Sequence, residues 1–125
     1  MRLLVFGDKT FIRKFTGQEI QGVEITGVSD VNELPGQIGN GQIDIILVNG
    51  LKGGTNTICE SIKGVCLLPI ALLVRDKQVN WSEIDYLTID GFIPEQATGV
   101  ELKARLDAIL RRCKPTQNII KQLAR

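Results

Sequence analysis

Histidine is absent from all 125 residues, and this one absence excludes a large group of chemistries. Ser–His and Cys–His catalysis, histidine metal sites and phosphohistidine relays all need an imidazole. Cysteine is scarce and odd in number. Cys59, Cys66 and Cys113 show no C-x-x-C spacing, which argues against structural zinc and against a disulfide framework. Each falls in an apolar pattern, so buried free thiols are expected, and with them a reducing, cytoplasmic setting. No run of about 18 apolar residues occurs. No charged n-region with a following h-region occurs either. Neither membrane spanning nor secretion is indicated, and no membrane partner is expected.

What remains describes an ordinary globular chain. It is 43% hydrophobic, with 15 basic and 14 acidic residues, and its length suits one domain with one substantial core. The near-neutral total hides an asymmetry. Residues 101–125 carry seven Lys/Arg against two acids, about +5, while residues 1–100 carry eight against twelve, about −4. A basic end on an acidic body suits a partner or nucleic acid; equally, it complements the dipole of a last helix.

Hydrophobic patterning divides the chain into alternating strands and helices. Leu3-Leu4-Val5-Phe6 reads as a buried first strand stopped by Gly7-Asp8, and Phe11, Ile12 and Phe15 recur at helical spacing up to Gly17. Val23–Val28 alternates more and reads as a second strand nearer an edge. Val31, Leu34 and Ile38 mark a helix that Pro35, Gly36 and Gly39 keep short or broken. Ile58, Cys59 and Ile62 mark a third helix. Leu67–Val74 reads as a buried fourth strand with Pro69 near its start. Asn80 with Glu83 predicts a capped short helix carrying Ile84 and Leu87, and Gly91-Phe92-Ile93 a brief fifth strand. Thr98-x-x-Glu101 opens the clearest helix, with the stripe Leu102, Leu106, Ile109, Leu110 and Cys113, and Pro115 is expected to stop it. Residues 116–125, with Ile119, Ile120 and Leu123, are left as another short helix or a linker.

The most informative stretch is Gln42-Ile43-Asp44-Ile45-Ile46-Leu47-Val48-Asn49-Gly50. A continuous apolar run between turn residues predicts a central parallel strand, and chemistry in open α/β sheets sits beyond the carboxyl ends of such strands. Asn49 stands there, and an amide is neither a carboxylate nucleophile nor a good ligand for a hard cation. Asn49-Gly50 is also a pair prone to deamidation where the loop is mobile. Five strands alternating with helices predict a flavodoxin-like, doubly wound α/β fold of order 2-1-3-4-5 with helices on both faces.

Several of these segments resemble the receiver domain of two-component response regulators over residues 1–113. Val5–Phe15 looks like the family's opening strand, acidic pair and first helix, and Asp44–Asn49 its third strand, at whose end the phospho-acceptor aspartate stands. Pro69–Val74 resembles the Pro-led fourth strand and Asp90-Gly91-Phe92-Ile93 the fifth, with Phe92 at the switch aromatic. In the family, two acids hold Mg²⁺, an aspartate takes the phosphoryl group, a Ser/Thr reads it and a lysine pairs with it. Against that pattern the acidic pair is Gly7 and Asp8, the acceptor is Asn49, the Ser/Thr is Val74, and the lysine falls on Glu95, with Pro94 the other candidate. Asp8 either keeps a weak metal site or caps the first helix.

The resemblance therefore implies an atypical, phosphorylation-independent receiver (a pseudo-receiver): residues 1–114 a receiver-like domain, 115–125 a linker or extra helix toward a missing output domain. It implies no enzymatic activity, no cofactor and no metal site. Partners are expected to be proteins, or a second copy in a homodimer, through the fourth helix, fifth strand and fifth helix. Candidate interface residues are Trp81, Tyr86, Phe92, Leu102 and Arg105. DNA would be reached through the output domain. The rival reading is a nucleotide-binding domain of an oxidoreductase. Gly7 alone survives of the glycine pattern for nicotinamide nucleotides, since Thr10 and Arg13 occupy the other two positions. An FMN site would need a phosphate loop, and Gly50–Thr55 offers either an anion cradle or a plain connection before a helix.

Overall fold

The computed structural model describes residues 1–39, 42–51, 55–75 and 88–123, with 114–123 described by their backbone alone. Five strands form one parallel sheet in the order β2-β1-β3-β4-β5: β1 (Arg2–Phe6), β2 (Glu24–Val28), β3 (Ile45–Asn49), β4 (Ile70–Val74) and β5 (Gly91–Pro94). The helices are α1 (Lys9–Thr16), α2 (Leu34–Ile38, entered through a 3₁₀ turn at Val31–Glu33), α3 (Thr55–Val65) and α4 (Gly99–Leu123). The expected strand order and class are the observed ones. The helix expected from Asn80, with Trp81 and Tyr86, lies outside the described residues.

Alternation along each strand divides the core into two layers. Leu3, Val5, Ile45, Leu47, Ala71, Leu73 and Ile93 meet Phe11 and Phe15 of α1 and the α4 stripe. Leu4, Phe6, Ile46, Val48, Ile70, Leu72 and Val74 meet Leu34 of α2 and Cys59 and Ile62 of α3. The central strands β3 and β4 are sealed on both sides, so their apolar runs are continuous. The edge strand β2 keeps a partly exposed pattern. Among the described cysteines Cys59 is buried, Cys66 and Cys113 are half-buried, and all three are free thiols.

Three sequence expectations shift. Strand β4 begins at Ile70 rather than Leu67, whose side chain is 85% exposed. Pro69 closes the approach: it has no N–H to give the ladder, and its carbonyl accepts from Ile46 N at 3.0 Å. Helix α4 does not stop at Pro115 but runs as one element of 25 residues to Leu123. A proline inside a helix removes one i→i−4 bond, at a cost of about 3 kcal/mol; the helix continues across it. Leu102, expected at an interface, is 0% exposed. It belongs to the inward stripe of α4, and a side chain packed against the sheet cannot meet a partner.

That stripe carries the attachment of α4. Leu102 and Leu106 are fully buried and Ile109 nearly so, each contributing about 1.5–3 kcal/mol of apolar burial. Leu106→Ala is expected to lower unfolding free energy by about 2–5 kcal/mol, read as an earlier urea midpoint without a change of slope.

Candidate functional site at the carboxyl ends of the strands

The register of the sheet assembles this end of the molecule. Pairing of Asn49 with Leu73 and of Val74 with Pro94 brings the residues after β3, β4 and β5 side by side. Gly50 N donates to the Leu73 carbonyl at 2.9 Å, and Glu95 N to the Val74 carbonyl at 2.8 Å. The backbone ladder thus extends past the strands, and Gly7, Asp8, Asn49, Val74 and Glu95 all lie at this end, as expected from the sequence.

Each position is already occupied. Asp8 caps α1: its Oδ1 accepts from Phe11 N at 2.9 Å, placing a carboxylate at the positive end of the helix. At Gly7 there is no room for a side chain, because a Cβ would lie 2.4 Å from Phe11 Cδ1. The Phe11 ring, 6% exposed and edge-on to Phe15 at 5.0 Å, fills that space. The half-buried Asn49 turns its Oδ1 back to accept from Leu51 N at 3.0 Å, an Asx turn that satisfies the amide oxygen locally. Gly50 is equally closed in, since a Cβ there would meet the Leu73 carbonyl at 2.4 Å. Val74 is 1% exposed and part of the core.

Glu95 has a partner that sequence reasoning missed. The Arg75 guanidinium grips its carboxylate as a fork, with Nη2 donating to Oε1 at 2.7 Å and Nε to Oε2. The hydrogen bond from Arg75 holds the Glu95 carboxyl below its ordinary range, partial desolvation opposes this, and the charges of Arg75 and Lys14 add to the lowering. A bare Glu95 would repel an incoming phosphate; here its charge is matched by Arg75. The signal was available in the sequence: both residues directly follow strands that are parallel neighbours.

The other expected site residues do not gather here. Phe92 packs toward the α3 side of the sheet, whereas Arg105 lies on the exposed side of α4 and pairs with Glu101 at 3.1 Å. Among the described residues, no group of three or more Cys, Asp or Glu side chains is placed to share a metal ion. Mg²⁺ in phosphate sites depends on one or two carboxylates plus phosphate oxygens. The donor set here is Asp8 alone, already engaged as a cap, so these residues do not fit that ion.

Two outcomes follow from this geometry. Because the Glu95 carboxyl is held low, the stabilisation it lends is fully present above the ordinary carboxylate range and is lost as pH falls through its depressed value. The stability gap between the protein and Glu95→Gln, measured by urea denaturation, should therefore be widest near neutrality and close in acid. The second concerns Asn49. Succinimide formation needs Gly50 N to attack Asn49 Cγ and expel ammonia, and that N–H is bound to Leu73. Peptide mapping after prolonged storage should find Asn49 intact in folded protein and deamidated in protein kept in urea.

No protein-family model and no curated protein sequence matches the chain. Solved structures do. A two-component response regulator from Clostridium difficile superposes with TM-score 0.67 at 26% identity, covering 90% of this chain and 97% of its own. The receiver domain of the TMAO respiratory system response regulator TorR matches with TM-score 0.60 at 16% identity, over 89% of this chain and 97% of its own. A chain from the complex of the phosphorylated P1 domain of CheA3 with CheY6 of R. sphaeroides matches with TM-score 0.58 at 16% identity, over 88% and 96%. Five parallel strands in the order 2-1-3-4-5, with helices on both faces, are common ground with these proteins, and the chain shares the receiver-like fold of two-component response regulators.

Proposed function

We propose that the chain is a phosphorylation-independent receiver, a non-enzymatic signalling module that works through protein–protein contacts as the regulatory part of a response regulator. The observation that carries this reading is the filled carboxyl end of the sheet. An aspartyl phosphate needs a carboxylate nucleophile and a divalent ion to screen the transferred charge. In place of the nucleophile stands an amide bonded to Leu51 N. In place of one metal-holding acid stands a glycine whose missing side chain is replaced by the Phe11 ring. Val74 has no hydroxyl to read a phosphoryl oxygen, and the residue after β5 is an acid held by Arg75.

A nucleotide-binding reading fares worse. The pyrophosphate of a dinucleotide sits at the N-terminus of the first helix, and here the Asp8 carboxylate holds that position. The C. difficile neighbour is a response regulator, and the R. sphaeroides structure shows CheY6 bound to another protein. Both favour a protein partner for this chain. Its surface would be the edge of the molecule around β5 and the outer side of α4, where Arg105 is exposed. Self-association through that edge and a transcriptional output are the family's usual ways of using such a surface.

Incubation with Mg²⁺ and either acetyl phosphate or beryllofluoride tests the central claim, read by intact mass and amide NMR. The expected result is an unchanged mass and a spectrum without widespread shifts. A phospho-adduct at any Asp, or a Mg²⁺-dependent rearrangement of the residues around Asn49 and Val74, would sink the proposal.

A further inference from the structure

At the opposite end of the sheet, a cleft of about 380 Å³ opens between α3 and α4. Pro69 and Ile89 line it and are buried, while Leu67 stands at its side 85% exposed. A single exposed leucine means little; the polar groups around this one give it meaning. Asp90 anchors them. Its Oδ2 accepts from Ile70 N at 2.8 Å and from Lys63 Nζ at 3.1 Å, and Lys63 also donates to the Leu68 carbonyl at 3.1 Å. The Lys63 charge is thereby matched.

Arg112 is held differently. Its Nη2 donates to the Asp90 carbonyl at 3.2 Å, and no other hydrogen bond or ion pair engages it among the described residues. Gly91 makes the approach possible, since a Cβ there would lie 3.1 Å from Nη2. A guanidinium carries five N–H donors in a planar fork, so most of this one remains open for a ligand while a single bond fixes its place. Cys113 completes the wall. Burial, and then the Asp90 charge, push its thiol pKa up against the opposing pull of Lys63 and Arg112, so the thiol stays neutral.

We infer that this cleft binds a small amphipathic carboxylate, its head on the Arg112 fork and its short hydrocarbon chain against Leu67, Pro69 and Ile89. The volume falls in the range of small-molecule sites, which pair an apolar lining with a few placed polar groups. A planar carboxylate matches the fork. A doubly charged phosphate would bring its second charge toward Asp90. The inference is independent of the proposal on phosphorylation, because the cleft shares no residue with the carboxyl ends of the strands.

Titration of the full chain with hexanoate, followed by amide NMR, tests it, with hexanol and inorganic phosphate as parallel titrants. Hexanoate should give saturable shifts centred on Leu67, Ile89, Asp90 and Arg112, and both other titrants should bind at least tenfold more weakly. Arg112→Gln should lose about tenfold or more in hexanoate affinity while the rest of the spectrum stays in place. Leu67→Asp, which alters only an exposed side chain, should weaken binding as well and serves if the first variant disturbs the fold. Equal binding of hexanoate and hexanol, equal binding of phosphate, shifts that do not saturate, or unchanged affinity in both variants would overturn the inference.

Discussion

Burial of β3 and β4 on both faces is the constraint on which the rest of the molecule depends. A strand covered on both faces has its side chains interlocked with two layers at once, so a slip in register would unmatch the packing on both. The pairings of Asn49 with Leu73 and Val74 with Pro94 are therefore fixed by the core. Those pairings set which loop residues meet at the carboxyl end. Gly50 reaches the Leu73 carbonyl and Glu95 the Val74 carbonyl, and Arg75 is left directly beside the Glu95 carboxylate.

Local substitutions at that end are consistent with one another in physical terms. Removing a side chain at Gly7 leaves a void, and Phe11 occupies it. An unsatisfied half-buried amide oxygen at Asn49 would be costly, and the Leu51 N–H satisfies it. An isolated acid at Glu95 would leave an unmatched charge at the strand ends, and Arg75 compensates it. An exposed ion pair of this kind adds little stability. Its effect is positional: a bidentate fork joins the ends of two adjacent strands.

Much of this was legible in the residues. The apolar runs Leu3–Phe6, Ile45–Val48 and Ile70–Val74 gave the buried strands because double-sided burial leaves an uninterrupted signature. The spacing of Leu102, Leu106 and Ile109 gave the inner face of α4. Reading Leu102 as both stripe and interface was an internal conflict, and packing resolved it in favour of the stripe. Leu67 and Leu68 extended the β4 run because hydrophobicity alone does not say where pairing begins; the missing N–H of Pro69 does. Pro115 misled for the converse reason: a proline weakens a helix by a finite amount, and a long helix can absorb it. The Arg75–Glu95 fork is legible only in two segments taken together: each residue directly follows its strand, and the two strands are parallel neighbours.

The two ends of the sheet differ in what they can still receive. At the carboxyl end the Asp8 and Glu95 carboxylates and the Asn49 amide oxygen have protein partners, and the space of a missing side chain holds an aromatic ring. At the amino end, Arg112 keeps most of its donors open beside an exposed leucine. Strand β4 connects them. Ile70 N binds the Asp90 carboxylate at one end, and the Val74 carbonyl receives Glu95 N at the other. A close-packed core transmits displacement rather than absorbing it, and every side chain of β4 is buried. An anion on the Arg112 fork would meet the Asp90 carboxylate as a like charge, and that carboxylate holds Ile70 N at the start of the strand whose far end receives Glu95 N.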